Sequence, residues 1–310
     1  MRRRLIIRLS TAFVLQFAQA LQELFDRDFV KALVFIAISD ANFGYIGNAP
    51  ELVGAYDWMH TSPPDSLARP IRPHKLALSL GLPRETVRRK AAWLVAEGFL
   101  VESPQGLVVS ADVSRRDDLL TMIRTVNVHV VELCRNLAVA GVSDLARMPD
   151  DVDLEQLPQR AIARLAVSYF LRSIDELRAM FEGDVLTGLV YCAIVDANVS
   201  HLNSLPDLPY ADLEDHVPDE ERRPISALAL AERIGLPRET VRRHVRRAEA
   251  RGVCVAVRGG LISPQETFRS PELVATTLRN WSNLRQFLTQ LNNAKLLPKA
   301  AADHVARREA

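Results

Sequence analysis

The chain has 310 residues, with 39 Lys and Arg against 38 Asp and Glu, for a net charge of +1. A hydrophobic content of 48% and a charged content of 25% exclude a disordered chain, and the length accommodates two domains of ordinary size. Three widely spaced cysteines, Cys134, Cys192 and Cys254, exclude a disulfide framework and any Cys-x-x-Cys metal site, so a reducing cytoplasm and no cofactor are expected.

The N-terminus imitates a secretory signal, with Arg2–Arg4, an apolar run over 9–17 and the small residues Ala18 and Ala20. The same pattern recurs inside the chain, where Phe13 matches Tyr169, Leu21 matches Leu177 and Phe25 matches Phe181, so a structural helix is expected instead. Helical apolar spacing covers about 5–25 and 162–181. No run approaches the roughly 18 apolar residues of a membrane span, and no membrane partner is expected.

Apolar helices follow at 28–42 and 184–198, sharing Leu-Val-x-x-Ala-Ile-x-Asp-Ala-Asn. Asp28 and Asp184 are predicted N-caps, and Asn42 and Asn198 predicted helix ends. The polar, Pro-rich connections 43–69 and 199–223 differ in length by two residues, since the matching positions lie 156 apart at Asn42 and Asn198 but 154 apart at Pro70 and Pro224; they are expected outside the fold. Short helices at 76–80 and 227–234 end at Gly81 and Gly235, and the next helices, opened by Pro83 and Pro237, run to Gly98 and Gly252. Alternating stretches at 99–102 with 107–109, and 253–257 with 261–262, read as hairpins. Helices at about 116–137 and 271–291 close each half, 138–159 is an acidic linker, and a last, loosely attached helix is expected beyond Asn292.

The predicted fold is mainly α with small β-hairpin wings: an internally duplicated winged helix-turn-helix pseudo-dimer whose long helices pack together. Its divisions are a first repeat over 1–137 with a winged helix at about 69–110, a linker over 138–160, a second repeat over 161–291 with a winged helix at about 223–264, and a tail over 292–310.

The strongest signal is Gly-Leu-Pro-Arg-Glu-Thr-Val-Arg-Arg, found letter for letter at 81–89 and 235–243. A solvated helix face with a Glu85–Arg89 pair gains only about 0.3–0.5 kcal/mol, too little to account for nine retained letters. A helix in the major groove reads base edges with its N-terminal residues. Arginine donates twice to guanine, and glutamate accepts from cytosine. Arg84, Glu85 and Arg89, with Arg238, Glu239 and Arg243, are therefore the expected base readers. Thr86, Arg88, Lys90, Thr240, Arg242, His244, Arg246, Arg247 and Arg258 are expected on phosphates, which fix position without reading sequence. Val87, Ala91 and Leu94 share the inward face, as do Val241, Val245 and Ala248.

At these residues the sequence resembles the Crp/Fnr family of bacterial transcription regulators, whose recognition helix carries Arg-Glu-Thr-Val-x-Arg followed by apolar residues at the spacing of Ala91 and Leu94. The resemblance is confined to the helix-turn-helix of each copy. It implies that Arg84, Glu85 and Arg89, then Arg238, Glu239 and Arg243, read a G-plus-GA core in each half-site, and that Thr86 and Thr240 touch phosphate. Pro83 and Pro237 stand where that family has a small polar cap. Nothing resembles its cyclic-nucleotide β-barrel, so no effector is carried over.

The expected function is a sequence-specific regulator of transcription, nucleoid-associated, binding double-stranded DNA at a pseudo-palindromic site. RNA polymerase and self-association are further candidate partners. The second copy carries Arg246, Arg247, Arg251 and Arg258 where the first has Ala92, Trp93, Glu97 and a wing with Glu102, so it is expected to supply more of the non-specific affinity. The alternatives weighed are a replication initiator and a tandem winged-helix protein–protein scaffold. No nucleophile motif, phosphate-cradling loop or paired catalytic carboxylates appear, and no enzyme is expected. Asp40, Asn42, Asp196 and Asn198 form a candidate ligand pocket at a pseudo-twofold axis, set against plain capping. The spacing of Cys192, Asp196 and His201 fits no common metal site, and His60 is expected at the surface.

Overall fold

The computed structural model describes residues 2–49, 51–52, 54–142, 151–204 and 208–297. The chain opens with α1 (Arg3–Glu23), whose apolar side chains recur at helical spacing and bury Leu5, Ile6, Phe13, Val14, Phe17 and Leu21. In α2 (Phe29–Phe43) the N-cap is Asp28, whose carboxylate accepts from the Lys31 amide. A loop then leads to α3 (Pro73–Leu80), α4 (Arg84–Ala96), the hairpin β1 (Leu100–Ser103) and β2 (Gly106–Val109), and α5 (Asp117–Val139).

The second half follows the same order. It comprises α6 (Gln159–Met180), α7 (Val185–Val199), α8 (Ala227–Ile234), α9 (Arg238–Ala250), β3 (Val255–Val257) with β4 (Gly260–Ile262), and α10 (Pro271–Asn293). Asp184 caps α7 through the Thr187 amide, Ser226 caps α8 and Ser270 caps α10.

Each hairpin is antiparallel, and the segment before each helix-turn-helix adds a bridge to it, Ile71 to Leu107 and Ile225 to Leu261. Glycine is required where that bridge passes: a Cβ at Gly106 would lie 2.6 Å from the Ile71 carbonyl carbon.

One continuous core runs from Leu5 to Leu296. α1 packs on α5 and α6 on α10, while α1 also crosses to α7 and α6 to α2, so each half leans on the other's second helix. At the centre Phe17 stacks on Phe170 at 4.5 Å and Tyr169 on Phe287 at 5.1 Å.

Several expectations need correction. Pro83 and Pro237 do not open their helices; both hold extended backbone (ψ 133° and 137°) just outside, and their carbonyls accept the Val87 and Val241 amides. Asn42 and Asn198 do lie at the ends of theirs, one residue before Phe43 and Val199. The loop over 43–69 is not simply solvated, because Asp57 is drawn onto Arg164 at the start of α6.

The expectation that no stretch could span a membrane also fails. Helical segments at Arg3–Glu23, Phe29–Asn48 and Val185–Asn203 are long and apolar enough by length and composition, with 61%, 61% and 67% of their apolar windows buried in the fold. Helices apolar on every side are what a deeply buried position demands. The linker residues 143–150 lie outside the described residues, as do residues 298–310 of the tail, where a last helix is expected beyond Asn292; residues 294–297 are not helical.

Candidate nucleic-acid interface

Within each half the second helix of the glycine-turned pair is anchored by one apolar stripe. Val87, Ala91 and Leu94 are buried on α4; Val241, Val245 and Ala248 are buried on α9. Gly81 and Gly235 take the left-handed conformation (φ 62° and 65°) that ends the first helix and swings the chain into the second. With that stripe fixed inward, the opposite face of the first turn has to point outward.

It does so in both halves. Arg84, Glu85, Arg88 and Arg89 are exposed, as are Arg238, Glu239, Arg242 and Arg243, with Thr86 and Thr240 half-buried beside them. Glu85 pairs with Arg88 rather than Arg89, accepting from Nε at 2.8 Å and Nη2 at 2.6 Å. That contact, helped by the Arg88 and Arg89 charges and opposed by desolvation, holds the Glu85 carboxyl below the usual range. In the second half the matching Arg242–Glu239 distance is 3.9 Å, leaving both groups freer to engage something else.

Three residues expected on phosphates are already engaged inside the protein. Lys90 pairs with Asp28, the cap of α2, instead of facing outward. His244 is buried, bonded to Thr187 Oγ1 at 2.8 Å with Asp184 3.4 Å away. Arg247 also reaches Asp184, although its side chain stays half exposed. The cause is shared: the aspartate that caps α2 or α7 also faces the helix packed on it, α4 or α9, and attracts the nearest cation. Arg246 and Arg258 are exposed, and among the described residues no ion pair forms at either. Arg251 is tied to Glu182 at 2.9 Å.

The asparagines serve as clamps between helix and wing. Asn42 donates to the Arg69 and Leu107 carbonyls and accepts from the Val109 amide at 2.8 Å. Asn198 does the same with Arg223, Leu261 and Ser263. Both are fully buried, so their hydrogen-bonding capacity is spent on holding the hairpin to α2 or α7. Asp40 and Asp196 do not meet at an axis; they line two separate cavities. Among the described residues no His, Cys, Asp and Glu cluster of metal-binding size forms, and His60 is exposed.

Sequence reasoning missed a reciprocal pair of contacts. Gln22 of α1 donates to the Ile234 carbonyl at 3.0 Å and lies beside Gly235. Arg178 of α6 lies against Gly81. Each long helix therefore touches the glycine turn of the other half. The signal was present, because Gln22 and Arg178 lie 156 apart, the spacing that relates Asn42 to Asn198; the differing side chains hid it.

Burial lowers the pKa of His244 from its ordinary 6.5, assisted by the Arg243 and Arg247 charges and opposed by Asp184. The folded state thus prefers neutral imidazole. Its contribution is complete above the unfolded pKa of about 6.5 and is lost as pH falls toward the lower folded value. Urea unfolding at pH 5.5 and 7.5 is expected to show a smaller acid loss for His244→Gln than for wild type. Equal losses would remove His244 as a source of that pH dependence.

Comparison with curated proteins and with solved structures gives no match. Residues 220–253, spanning α8, the glycine turn and α9, match the family model for winged helix-turn-helix DNA-binding; this segment is a winged helix-turn-helix DNA-binding domain.

Proposed function

We propose that the chain is a sequence-specific, cytoplasmic transcription regulator that offers two recognition helices, α4 and α9, to one DNA duplex. The observation that carries this is the placement of the repeated nine-residue run. In both halves it carries the chain through the glycine turn and puts its Arg-Glu at the exposed first turn of a helix anchored by its opposite face. The reciprocal contacts of Gln22 and Arg178 support an internally duplicated, pseudo-twofold arrangement, the symmetry that an inverted repeat in DNA matches. By the resemblance to the Crp/Fnr recognition helix, Arg84, Glu85 and Arg89, and Arg238, Glu239 and Arg243, read a G-plus-GA core in each half-site. Thr86, Arg88, Thr240, Arg242, Arg246 and Arg258 hold the phosphates. Arg247 joins them by exchanging its aspartate for phosphate.

Selection of bound sequences from random DNA tests the proposal. The expected product is an inverted repeat with similar cores about one helical turn, roughly 34 Å, apart. Direct repeats or unrelated half-sites would overturn the paired geometry, and absence of any enriched sequence would overturn sequence-specific reading.

A further inference from the structure

Two cavities of about 130 Å³ each flank the central helices, in corresponding places. One lies between α6, α2 and α5 and is lined by Arg160, Arg164, Phe35, Ile36 and Asp40. The other lies between α1, α7 and α10 and is lined by Arg4, Arg8, Tyr191, Cys192 and Asp196. Their arginines stand in opposite electrostatic situations.

In the first cavity the charges are answered by the protein itself. Arg164 pairs with the Asp57 carboxylate and donates to the Tyr56 carbonyl at 2.6 Å. Arg160 donates to the Met59 carbonyl at 3.1 Å and the Ser114 carbonyl at 2.6 Å. The Asp57 carbonyl also accepts the Arg160 and Ala161 amides, which fixes the loop over the start of α6.

In the second cavity the same backbone arrangement recurs, but the residue whose carbonyl accepts the Arg4 and Leu5 amides is Ala211. Alanine has no carboxylate to offer. Arg8 is 7% exposed, and among the described residues its Nη2 donates only to the Pro209 carbonyl at 3.2 Å while its Nε and Nη1 have no hydrogen-bond partner. Arg4 is used by the Leu213 carbonyl and His216, and Arg222 by Asp219. The two carboxylates on the walls are also engaged, Glu176 by Asn283 at 2.7 Å and Asp196 by Arg233. A buried charge without a counter-ion is costly, and burial together with the Arg4 charge pulls the Arg8 guanidinium down to about 10. The rest of the wall is largely apolar, including Ile7, Val14, Leu177, Val195 and Phe268.

We infer that this second cavity binds a small amphipathic carboxylate, its anion on Arg8 and its hydrocarbon body against the apolar wall. The ligand supplies the group that Asp57 supplies on the other side. Size limits the body: an engineered apolar cavity of about 150 Å³ accepts benzene, so one ring or a short chain fits. Arginine suits the anion because its planar donors match both carboxylate oxygens. Two walls also hold the DNA-binding domain, α1 through Gln22 on Ile234 and α7 through Asp196 on Arg233, so the ligand lies one contact from it.

Calorimetric titration of the full chain with benzoate, hexanoate and neutral benzamide, at constant ionic strength, tests the site. Benzoate or hexanoate is expected to bind at least tenfold tighter than benzamide. Arg8→Met is expected to lose at least tenfold in affinity. Ala211→Asp installs the internal carboxylate, and is expected to abolish binding and raise the melting temperature without ligand. Failure of both carboxylates to bind wild type, or affinity equal to that of benzamide, would overturn the inference. Retention of affinity in Arg8→Met would do the same whether or not the Ala211→Asp chain folds.

Discussion

Glu239→Ala is expected to weaken binding to the selected operator by at least tenfold while leaving binding to random DNA unchanged or slightly stronger. The reasoning is electrostatic. A carboxylate repels phosphate, so its removal cannot reduce sequence-independent affinity; only the loss of a base contact, about 1–3 kcal/mol, lowers specific affinity. Adding Arg238→Ala removes a second base contact and brings the expected specific loss to about a hundredfold or more, since 1.4 kcal/mol is a factor of ten. Both side chains are exposed and the Glu239–Arg242 pair is loose at 3.9 Å, so the melting temperature should barely move.

The corresponding double change, Arg84→Ala with Glu85→Ala, is expected to cost less in total. Arg246 and Arg258 leave α9 and its wing with more uncommitted positive charge than α4, where Lys90 is tied to Asp28. Gel shifts of both double variants at two salt concentrations separate these outcomes. Unchanged operator affinity in Glu239→Ala would refute base reading, and equal losses in the two halves would refute the asymmetry.

Phe17→Ala is expected to destabilise the chain by about 4 kcal/mol, in the range for a large aromatic removed from a packed core. Phe17 is wholly buried and stacks on Phe170 of the other half, with Phe13 6.0 Å away. That loss is a large fraction of the 5–15 kcal/mol typical of folded domains. Because the core is continuous across both halves, the variant and the wild type should each unfold in one urea transition with its midpoint lowered in the variant. Two separated transitions, with only one shifted, would show that the halves are stabilised independently.

The sequence was most informative where local rules govern. Helical periodicity located the long helices to within a few residues, because an apolar stripe at that spacing has to be buried. Asp28 and Asp184 were legible as caps, and Gly81 and Gly235 as turns, since capping and left-handed backbone depend on near neighbours. The inward face of α4 and α9 followed from the same spacing, and with it the exposure of the repeated arginines and glutamates.

Partner choice was not legible. Lys90 and His244 read as phosphate ligands until the packing of α4 on α2 and α9 on α7 brought Asp28 and Asp184 beside them. Asn42 and Asn198 were legible as helix ends but not as clamps on the hairpins that cross them. A hydrogen bond at 3 Å selects its partner by position, and position is set by contacts between residues far apart in the chain.

The sequence by itself determined two helix-turn-helix segments with identical, outward-facing first turns, because a buried stripe on one side of a helix leaves the other side to solvent. Only the tertiary structure decided which cations stay free, and that Arg8 lacks the carboxylate Arg164 receives from Asp57. Those outcomes depend on which loop residue reaches a buried charge, and no local pattern in the chain records that distance.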